Sequence, residues 1–451
     1  MFSKKRFSAK NICELWRNKK KKVIDITINW WYNNKVVYSF VYKRNGAKRE
    51  KNMKILVVSQ HYYPEPFRIT DICETLAKEG HEVTVITGTP NYPMGKIYPG
   101  YRKGKKRDEV LNGVKIHRCF EIGRRSGIAF RFLNYYSFAI SSKRYAKKLK
   151  EDFDVVFANQ LSPIMMSAGA VAYKKKRKKK MVLYCLDLWP ESLAAGGVKR
   201  GSFLYRHYHK VSRKIYTQAD TLLITSALFE DYLTTEFGIP KERIGYLPQY
   251  AEDLFDATAC KKESSDTVDL MFAGNIGAAQ SIGTILEAAK RTKDLEKLRW
   301  HFVGDGSELE NSKATVEKEG LSERVIFHGR KALEEMPTYY KLADGMLVTL
   351  MNDAVVKSTL PGKVQTYMAA GKPIIGATGG EAQQVITRAE CGYCGEAEDV
   401  EALVENVRKF YDDCQNNRSD VLGANAEAYY KKHFTKEQFM KKLNEELGNT
   451  K

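Results

Sequence analysis

Short apolar runs recur along the chain from Met53 onward, and amphipathic segments separate them. Runs of four to eight residues are typical of buried strands. In the first half the predicted strands are residues 54–58, 81–87, 114–119, 154–158, 181–186 and 221–225. In the second half they are residues 268–275, 298–304, 324–329, 345–350 and 373–377. Apolar positions at helical spacing predict intervening helices, such as those at 69–77 and 282–289.

This alternation of strand and helix predicts the α/β class, with parallel sheets covered on both faces. The polar stretch 251–266, which contains KKESSD, interrupts the pattern and is the predicted linker. We therefore expect two Rossmann-like domains, residues 53–250 and 267–423, that face each other across a cleft. Ligands of such sheets bind beyond the carboxyl ends of the strands.

The net charge of +21 is distributed unevenly along the 451 residues. It is +12 in residues 1–52, +16 in residues 53–250 and −7 in residues 251–451. The basic residues 1–250 and the mildly acidic residues 251–451 indicate that the N-terminal part of the chain faces an anionic surface. Nucleic acid and membrane lipid are both anionic surfaces of this kind. No apolar run reaches the roughly 18 residues needed to span a bilayer.

Residues 1–52 form a basic extension that contains an aromatic island, INWWYNNKVVYSFVY at 28–42. They lack the apolar region and the cleavage site of a signal peptide. One interpretation is a membrane-surface segment, aromatic on one side and basic around it. The other is a mis-assigned translation start, with Met53 as the true first residue, because KNMKILVVS begins as the first strand of an α/β domain usually begins. We favour the second.

Eight cysteines are scattered along the chain, which is typical of a reducing compartment. Cys391 and Cys394 form a lone Cys-x-x-Cys without a second pair or a nearby histidine, so we do not expect a zinc or redox site there. The lysine-rich run 174–180 is expected to be solvated helix ends, and a phosphate-binding patch is the alternative.

Glycine-rich turns follow three successive predicted strands of the second half. Glycines let a ligand approach backbone amides, and a helix N-terminus that follows favours phosphate. Three such turns in one half predict an anion-binding edge. The candidate residues are Gly274, Asn275, Gly277, Gly304, Asp305, Gly306 and Arg330.

The segment STLPGKVQTYMAAGKPIIG, residues 358–376, predicts a loop, a short helix that starts near Pro361, and a buried strand. Lys363 falls in the first helical turn, where the helix dipole and the free amide groups disfavour a cation. An anionic ligand is therefore expected beside Lys363. Glu381 follows two glycines at another predicted helix start, where it either binds sugar hydroxyls or caps the helix.

Long polar and aromatic loops follow the strands of the first half, at the same edge of the sheet. Asp187 directly follows a strand and is expected to point at the cleft, where it is a candidate for hydroxyl recognition or proton transfer. Trp189 and the loop tyrosines either stack on sugar rings or pack the loops. The candidate residues for an acceptor in these loops are Arg68, Asn91, Tyr92, Gln160 and Trp189.

From Met53 to the C-terminus the chain resembles glycosyltransferase family 4 of the GT-B fold, and the bacterial capsule and O-antigen aminosugar transferases in particular. The matching motifs, in order, are QHYYPEPFRITDICETLAKEGHEVTVITGTPNYPMGKIY, LDLWPES, LPQY, FAGNIGAAQS, FVGDGSELE, VIFHGR and LPGKVQTYMAAGKPII. The resemblance implies that the first domain holds the acceptor and the second a nucleotide-sugar. It also implies that residues 424–451, with a helix at about 424–445, return to the first domain.

The resemblance further implies a retaining enzyme that needs no metal or other cofactor. It would transfer an N-acetylated aminosugar, expected to be UDP-linked, to a polyprenyl-diphosphate-linked saccharide. Such an enzyme would be cytoplasmic and peripheral on the inner face of the cell membrane, and the basic first domain agrees because anionic headgroups attract Lys and Arg. A partner role for nucleic acid is not expected.

The chain departs from the commonest family pattern at four positions. Many members carry an Arg and a Lys where this chain has Asn275 and Gln280, and two glutamates where it has Ser358 and Thr366. The negative charge that grows on the leaving diphosphate must then be stabilised by Lys363, by the amides near Gly362 and by the turn 274–277. Ser358, Leu360, Gly362 and Thr366 complete the predicted donor site, and Arg68 is the candidate for an acceptor phosphate.

Two other functions are compatible with parts of the sequence. A non-hydrolysing sugar-nucleotide epimerase shares the two-domain fold, but it needs acid and base side chains in the cleft that the sequence does not arrange. A basic nucleic-acid-binding protein would explain the sequence pI of about 9.4, but no recognised binding module is present.

Overall fold

The computed structural model describes residues 26–27, 39–40, 52–124, 127–263 and 265–449. The chain divides into two compact units, Met1–Lys51 and Asn52–Lys451. In the first unit only a two-residue antiparallel pair is described, β1 (Ile26–Thr27) with β2 (Ser39–Phe40). Both interpretations of residues 1–52 therefore concern residues that lie almost entirely outside the described ones.

Eight strands of the second unit form one sheet, which we call the sheet of the first domain. They are β3 (Lys54–Val58), β4 (Glu82–Thr87), β5 (Asp108–Leu111), β6 (Val114–Arg118), β7 (Val155–Gln160), β8 (Lys180–Cys185), β9 (Thr221–Ile224) and β10 (Ile244–Tyr246). Their order is β10-β9-β8-β7-β3-β4-β6-β5. The six strands predicted here are present, and each of their ends lies within two residues of the predicted one.

Strand β5 is the exception to the parallel arrangement, since it pairs with β6 in antiparallel register. Asn112 and Gly113 connect the two strands, both at positive φ (48° and 83°). An Asn-Gly pair between two strands is the signature of a tight hairpin. That signal was available in the sequence and was missed.

Six parallel strands form the sheet of the second domain. They are β11 (Val268–Ala273), β12 (Leu298–Val303), β13 (Val325–Gly329), β14 (Gly345–Thr349), β15 (Ile374–Ala377) and β16 (Gly392–Gly395). Their order is β13-β12-β11-β14-β15-β16. The five predicted strands are present, and the edge strand β16 was not predicted because its glycines and short length hide it.

Helices cover both faces of the two sheets. They are α1 (Ile69–Lys78), α2 (Ile128–Lys148), α3 (Ala168–Arg177), α4 (Glu191–Ala195), α5 (Phe203–Tyr216), α6 (Phe229–Phe237), α7 (Ile282–Arg291), α8 (Leu309–Lys318), α9 (Met336–Tyr340), α10 (Ala354–Ser358), α11 (Gly362–Ala369), α12 (Gly380–Arg388), α13 (Val400–Gln415), α14 (Ser419–His433) and α15 (Lys436–Gly448). Within the described ranges, none of them has the length and hydropathy needed to cross a membrane.

Each sheet has an apolar core on both of its faces, because alternate strand residues point to opposite sides. In β3, Leu56 and Val58 join one core, while Ile55 and Val57 join the other. Burial on both faces explains why these strands are continuous apolar runs rather than alternating ones.

The C-terminal segment returns to the first domain, as predicted. Phe439, Met440 and Leu443 of α15 are buried in a core of the first domain. Lys436 Nζ lies 2.6 Å from Asp71 Oδ1 of α1. The predicted single helix at about 424–445 is in fact two helices, because Thr435 caps a new helix and forms a capping box with Gln438.

Candidate functional site

A cleft of about 580 Å³ lies between the two domains, beyond the carboxyl ends of their strands. Eight of the predicted donor residues line it, together with Lys363. These eight are Gly274, Asn275, Gly304, Asp305, Gly306, Arg330, Gly362 and Thr366. Arg68 and Tyr92 line it from the side of the first domain. The structure thus brings together residues that are up to 298 positions apart in sequence, from Arg68 to Thr366.

The glycine turns of this cleft are packed directly against each other. A Cβ on Gly304, whose φ is +149°, would lie 1.8 Å from the carbonyl oxygen of Gly274. A Cβ on Gly306 would lie 2.2 Å from the carbonyl oxygen of Ile276. The amide of Ile276 also donates to the carbonyl of Asp305 (2.9 Å). Contacts within the protein therefore require Gly304 and Gly306, whatever ligand the turns bind.

Lys363 is a half-buried cation at the start of α11, which begins at Gly362 directly after Pro361. Its Nζ donates to Gln280 Oε1 (2.5 Å) and lies 3.9 Å from the centre of the Phe272 ring. No carboxylate in the described part of the chain forms an ion pair with it. Burial lowers the pKa of Lys363 to about 7. The site therefore holds a cation whose charge the protein itself leaves uncompensated.

Asp187 lies in a smaller neighbouring cavity of about 190 Å³. Leu360, Pro361 and Gly362 line this cavity from the second domain, so Asp187 faces the start of α11 across it. Its Oδ2 accepts a hydrogen bond from the amide of Ser162 (3.0 Å), and burial raises the pKa of the carboxyl group. The two cavities share Arg68 and Gly362.

Arg68 is already paired in the structure. Its guanidinium donates to Glu252 Oε1 (2.6 Å) and Gln249 Oε1 (2.5 Å), and it lies over the ring of Tyr250 at 5.1 Å. An acceptor phosphate at Arg68 would therefore compete with Glu252 for the same donors.

Three of the predicted acceptor residues lie in the protein interior instead of facing a ligand. Asn91 donates to Glu121 Oε1 (3.0 Å), and Gln160 donates to the carbonyls of Leu161 and Asp187 (2.8 and 2.9 Å). Trp189 is 1% exposed, and its Nε1 donates to Ser162 Oγ (2.8 Å). A buried indole ring cannot stack on a sugar, so Trp189 packs the loop that carries Asp187.

Ser358 and Glu381 connect the two domains away from the large cleft. The carbonyl of Ser358 accepts a hydrogen bond from Ser226 Oγ, and Glu381 Oε2 accepts one from the amide of Leu228 (3.2 Å). Leu228 immediately precedes α6 of the first domain, where amide groups lack helical partners. Glu381 is therefore an interdomain contact, and its hydrogen bond goes to the first domain and not to the start of its own helix. Leu360 lines only the smaller cavity, and Gly277 lines neither.

A buried polar cluster at the carboxyl edge of the first sheet was not predicted. His61 Nδ1 lies 2.8 Å from Glu65 Oε2, while Glu65 Oε1 accepts from the amides of Asn91 and Tyr92 (both 2.6 Å). Glu121 Oε1 accepts from Asn91, and burial raises the pKa of Glu121 to about 7. The cluster fixes the loop that carries Tyr92 into the cleft. Its sequence signal was a set of polar residues directly after strands.

The same carboxylate of Glu121 also accepts hydrogen bonds from two further side chains of the cluster. Gln60 Nε2 donates to its Oε1 at 2.9 Å, and Asn134 Nδ2 donates at 2.6 Å. Asn134 belongs to α2, so this helix is fixed to the same loops.

Several side chains of the lysine-rich run 174–180 form contacts within the protein. Arg177 donates to the carbonyl of Leu149 (2.9 Å), and Lys180 donates to the carbonyls of Glu446 and Asn449 (2.6 and 2.8 Å). Lys174 pairs with Asp220 (2.5 Å). These contacts favour the interpretation as helix ends over a phosphate-binding patch.

Over the described ranges, no group of three or more His, Cys, Asp or Glu residues is arranged to hold a metal ion.

Comparison with known proteins relates both domains to one kind of enzyme. The family model of glycosyl transferases group 1 matches residues 259–429, and that of the glycosyl transferase 4-like domain matches residues 67–249. WcaI of Escherichia coli K12, named as a glycosyl transferase of colanic acid biosynthesis, is 26% identical over 382 residues, which are 79% of this chain and 92% of WcaI. WbjE of Pseudomonas aeruginosa, named as a glycosyltransferase, is 27% identical over 54% of this chain and 62% of WbjE.

The fold is also found among solved structures. HepE of Anabaena, crystallised with UDP, superposes with a TM-score of 0.65 at 14% sequence identity. The superposition covers 88% of this chain and 99% of HepE. HepE has also been solved with UDP-glucose.

Proposed function

This chain belongs to family 4 of the glycosyltransferases with the GT-B fold, and we propose that it is a retaining enzyme that transfers a sugar from a nucleoside diphosphate to a lipid-linked saccharide. The product is a precursor of a cell-surface polysaccharide, and the enzyme works at the inner face of the cell membrane. The main support for the proposal is Lys363, a cation without a carboxylate partner among the described residues, at a helix start in the cleft that the glycine turns line.

The donor proposed here is UDP-linked. HepE, which shares the fold, binds UDP and UDP-glucose. In this chain the cleft offers an anion four kinds of group: the ammonium of Lys363, the guanidinium of Arg330, the free amides at the start of α11, and the turn that begins at Gly274. A diphosphate suits this combination because helix starts and ammonium groups both attract it. An N-acetylated aminosugar is the donor sugar that the subfamily resemblance favours.

The reaction breaks the bond between the anomeric carbon and the diphosphate oxygen, and it forms a bond from that carbon to an acceptor hydroxyl oxygen. Negative charge grows on the leaving diphosphate, and Lys363 stabilises it together with the amides of α11. The proton of the acceptor hydroxyl passes to the carboxylate of Asp187 as the new bond forms. Because the anomeric configuration is retained, the leaving diphosphate and the incoming hydroxyl lie on the same face of the sugar.

Asp187 is the residue proposed to orient the acceptor hydroxyl. It faces Gly362 from the first domain, so a hydroxyl held by its carboxylate lies next to the helix start that holds the diphosphate. Burial raises the pKa of this carboxyl group, which makes its carboxylate a stronger base toward the hydroxyl proton. The donor site uses no metal in this proposal, because Lys363 supplies the positive charge.

The experiment that tests the proposal is a screen of nucleotide-sugars with the purified full chain. UDP and one UDP-sugar should raise the melting temperature, and the UDP-sugar should be hydrolysed slowly or transferred to a lipid-linked acceptor. Conversion of a UDP-sugar to its epimer without acceptor would instead establish an epimerase. Failure of every nucleoside diphosphate to stabilise the protein would overturn the proposal.

A further inference from the structure

We propose that one exposed face of α2 (Ile128–Lys148), together with Phe120, binds the surface of an anionic lipid bilayer. We call it the α2 face and define it by Phe120, Leu133, Tyr136, Ile140, Lys143, Arg144 and Lys147. It deepens the proposed function, since it names the protein surface through which the enzyme would meet a lipid-linked acceptor. Its test measures binding to vesicles and does not require turnover.

The first half of the α2 face is apolar and exposed. Leu133, Tyr136 and Ile140 are 49%, 37% and 47% exposed. Their spacing of three and four residues puts them on one side of the helix. Phe120 is 64% exposed and lies beside the same helix, because its carbonyl accepts a hydrogen bond from Ser141 Oγ (2.7 Å). The protein thus leaves a contiguous set of large apolar side chains in water, which is typical of an interaction surface.

The second half of the face is cationic. Lys143, Arg144 and Lys147 continue the stripe at the same helical spacing, and all three are exposed. None of them is paired with a carboxylate of the described residues, whereas Lys174 and Lys179 nearby are paired with Asp220 and Asp152. The positive charges of the α2 face are therefore available to bind an external anion.

The combination favours a bilayer over nucleic acid. Apolar side chains followed by cations on one helical face fit the boundary between acyl chains and anionic headgroups. Nucleic acid would neutralise the cations but would leave Leu133 and Ile140 in water. The place of the α2 face in the first domain also agrees with a lipid-linked acceptor. Asn134, in the same helical turn, donates to Glu121 (2.6 Å). Glu121 belongs to the buried cluster that fixes the cleft loop of Tyr92. The α2 face therefore lies beside the acceptor side of the proposed site.

The experiment is co-sedimentation of the full chain with vesicles of neutral phosphatidylcholine, with and without about 30 mol% phosphatidylglycerol. Wild type should bind the anionic vesicles, and salt should weaken the binding because it screens exposed charge. Lys143→Glu with Arg144→Glu should lower the partition coefficient at least about tenfold, given the attraction of each basic side chain to an anionic surface. Leu133→Ser with Ile140→Ser should also lower it, while the remaining binding keeps its salt dependence.

The matched control for charge is Lys297→Glu with Lys318→Glu. Both lysines are exposed on the second domain and unpaired with described carboxylates, so this variant changes the net charge by the same amount. Val421→Ser, at a residue 62% exposed on α14, is the control for an exposed apolar side chain. Both controls should bind vesicles as wild type does. Stabilisation by UDP, measured on every variant, verifies that the fold is kept.

Four outcomes would overturn the proposal. In the first, the charge control loses as much binding as the variant of the α2 face. In the second, the α2-face variants bind vesicles as wild type does, which would move the binding to another segment such as residues 1–52. In the third, wild type binds single-stranded DNA but not the vesicles. In the fourth, wild type is a dimer that the apolar variant converts to a monomer. Loss of sugar transfer with vesicle binding kept would contradict the proposed function alone.

Discussion

The Nζ atom of Lys363 lies 2.5 Å from Oε1 of Gln280, at the start of the helix Gly362–Ala369. The resemblance of FAGNIGAAQS to the family motif implies that Gln280 takes a place where a lysine is common. An amide oxygen accepts a hydrogen bond but brings no negative charge, so the protein leaves the ammonium of Lys363 uncompensated. Arg330 and Lys331 line the same cleft, but Lys363 is the cation at the helix start, so the proposed donor site depends on it strongly.

Replacing Lys363 by Ala should raise the Kd for UDP about 30-fold, because a hydrogen bond to a charged group contributes about 1.5–3 kcal/mol. Isothermal titration calorimetry measures the change. Lys357→Ala is the control, since Lys357 does not line the cleft and its Nζ lies 3.6 Å from Glu396 Oε2. Equal affinities of the Lys363 variant and wild type would show that Lys363 has no role in binding the diphosphate.

The affinity for UDP should fall as the pH rises through about 7, the pKa to which burial lowers Lys363. The diphosphate binds the protonated lysine, so binding takes up a proton on the alkaline side of this pKa. Between about pH 6 and pH 8 the association constant should fall about tenfold, following the protonated fraction of the free protein. Ionisation of the UDP phosphate is common to wild type and the Lys363→Ala variant. A ratio of their affinities that stays constant with pH would contradict the assignment.

Asp187→Asn should lower kcat at least about 100-fold, the lower end of the range for removal of an acid–base group. Binding of UDP should change little, since Asp187 lies in the first domain, opposite the proposed diphosphate site. Asp152→Asn is the matched control, because Asp152 is an exposed carboxylate of the same domain, 2.8 Å from Lys179. A parallel loss of UDP affinity in Asp187→Asn would instead indicate a structural role.

Gly304→Ala should destabilise the protein by about 3 kcal/mol or more, because a side chain there requires a strained backbone and displacement of a neighbouring turn. The added Cβ would lie 1.8 Å from the carbonyl oxygen of Gly274. Urea unfolding measures the loss, and UDP binding should weaken with it. Gly283→Ala in α7 meets no atom within 4 Å and should leave stability unchanged or raise it by up to about 1 kcal/mol. Equal unfolding midpoints for the two variants would contradict the packing argument.

Sugar transfer should proceed at an unchanged rate in EDTA, because the proposed site stabilises the diphosphate with Lys363 and backbone amides. The assay compares initial rates with EDTA, with Mg²⁺ and with Mn²⁺. Loss of activity in EDTA that Mn²⁺ restores would show that a metal ion takes part.

Much of the fold could be predicted from the sequence, because strands buried on both faces leave continuous apolar runs that need no tertiary information to recognise. All eleven predicted strands are present in the structure. The elements that were missed are short or lie at sheet edges, where packing imposes a weaker pattern. The hairpin strand Asp108–Leu111 is one example, and the edge strand Gly392–Gly395 is another.

The candidate site was predictable to a smaller extent. Glycine turns and the misplaced charge of Lys363 are local signals, and the residues that carry them line the cleft. Trp189 lies in a loop and Gln160 ends strand β7, both at the ligand-binding edge of the sheet, yet both side chains are buried. The direction of a side chain at this edge depends on its contacts with residues far away in the sequence. The local sequence pattern does not specify those contacts.

By itself, the sequence determined the α/β class, the two sheets, the edge at which ligands bind and the helix whose start favours an anion. These properties follow from the spacing of apolar residues and from backbone geometry at glycines, which act over a few residues. Only the tertiary structure decided that Asp187 faces Gly362, that Glu381 joins the two domains and that the cations of the α2 face have no carboxylate partner among the described residues. Each of these depends on contacts between residues far apart in the chain, and such contacts are fixed by the packing of the whole molecule.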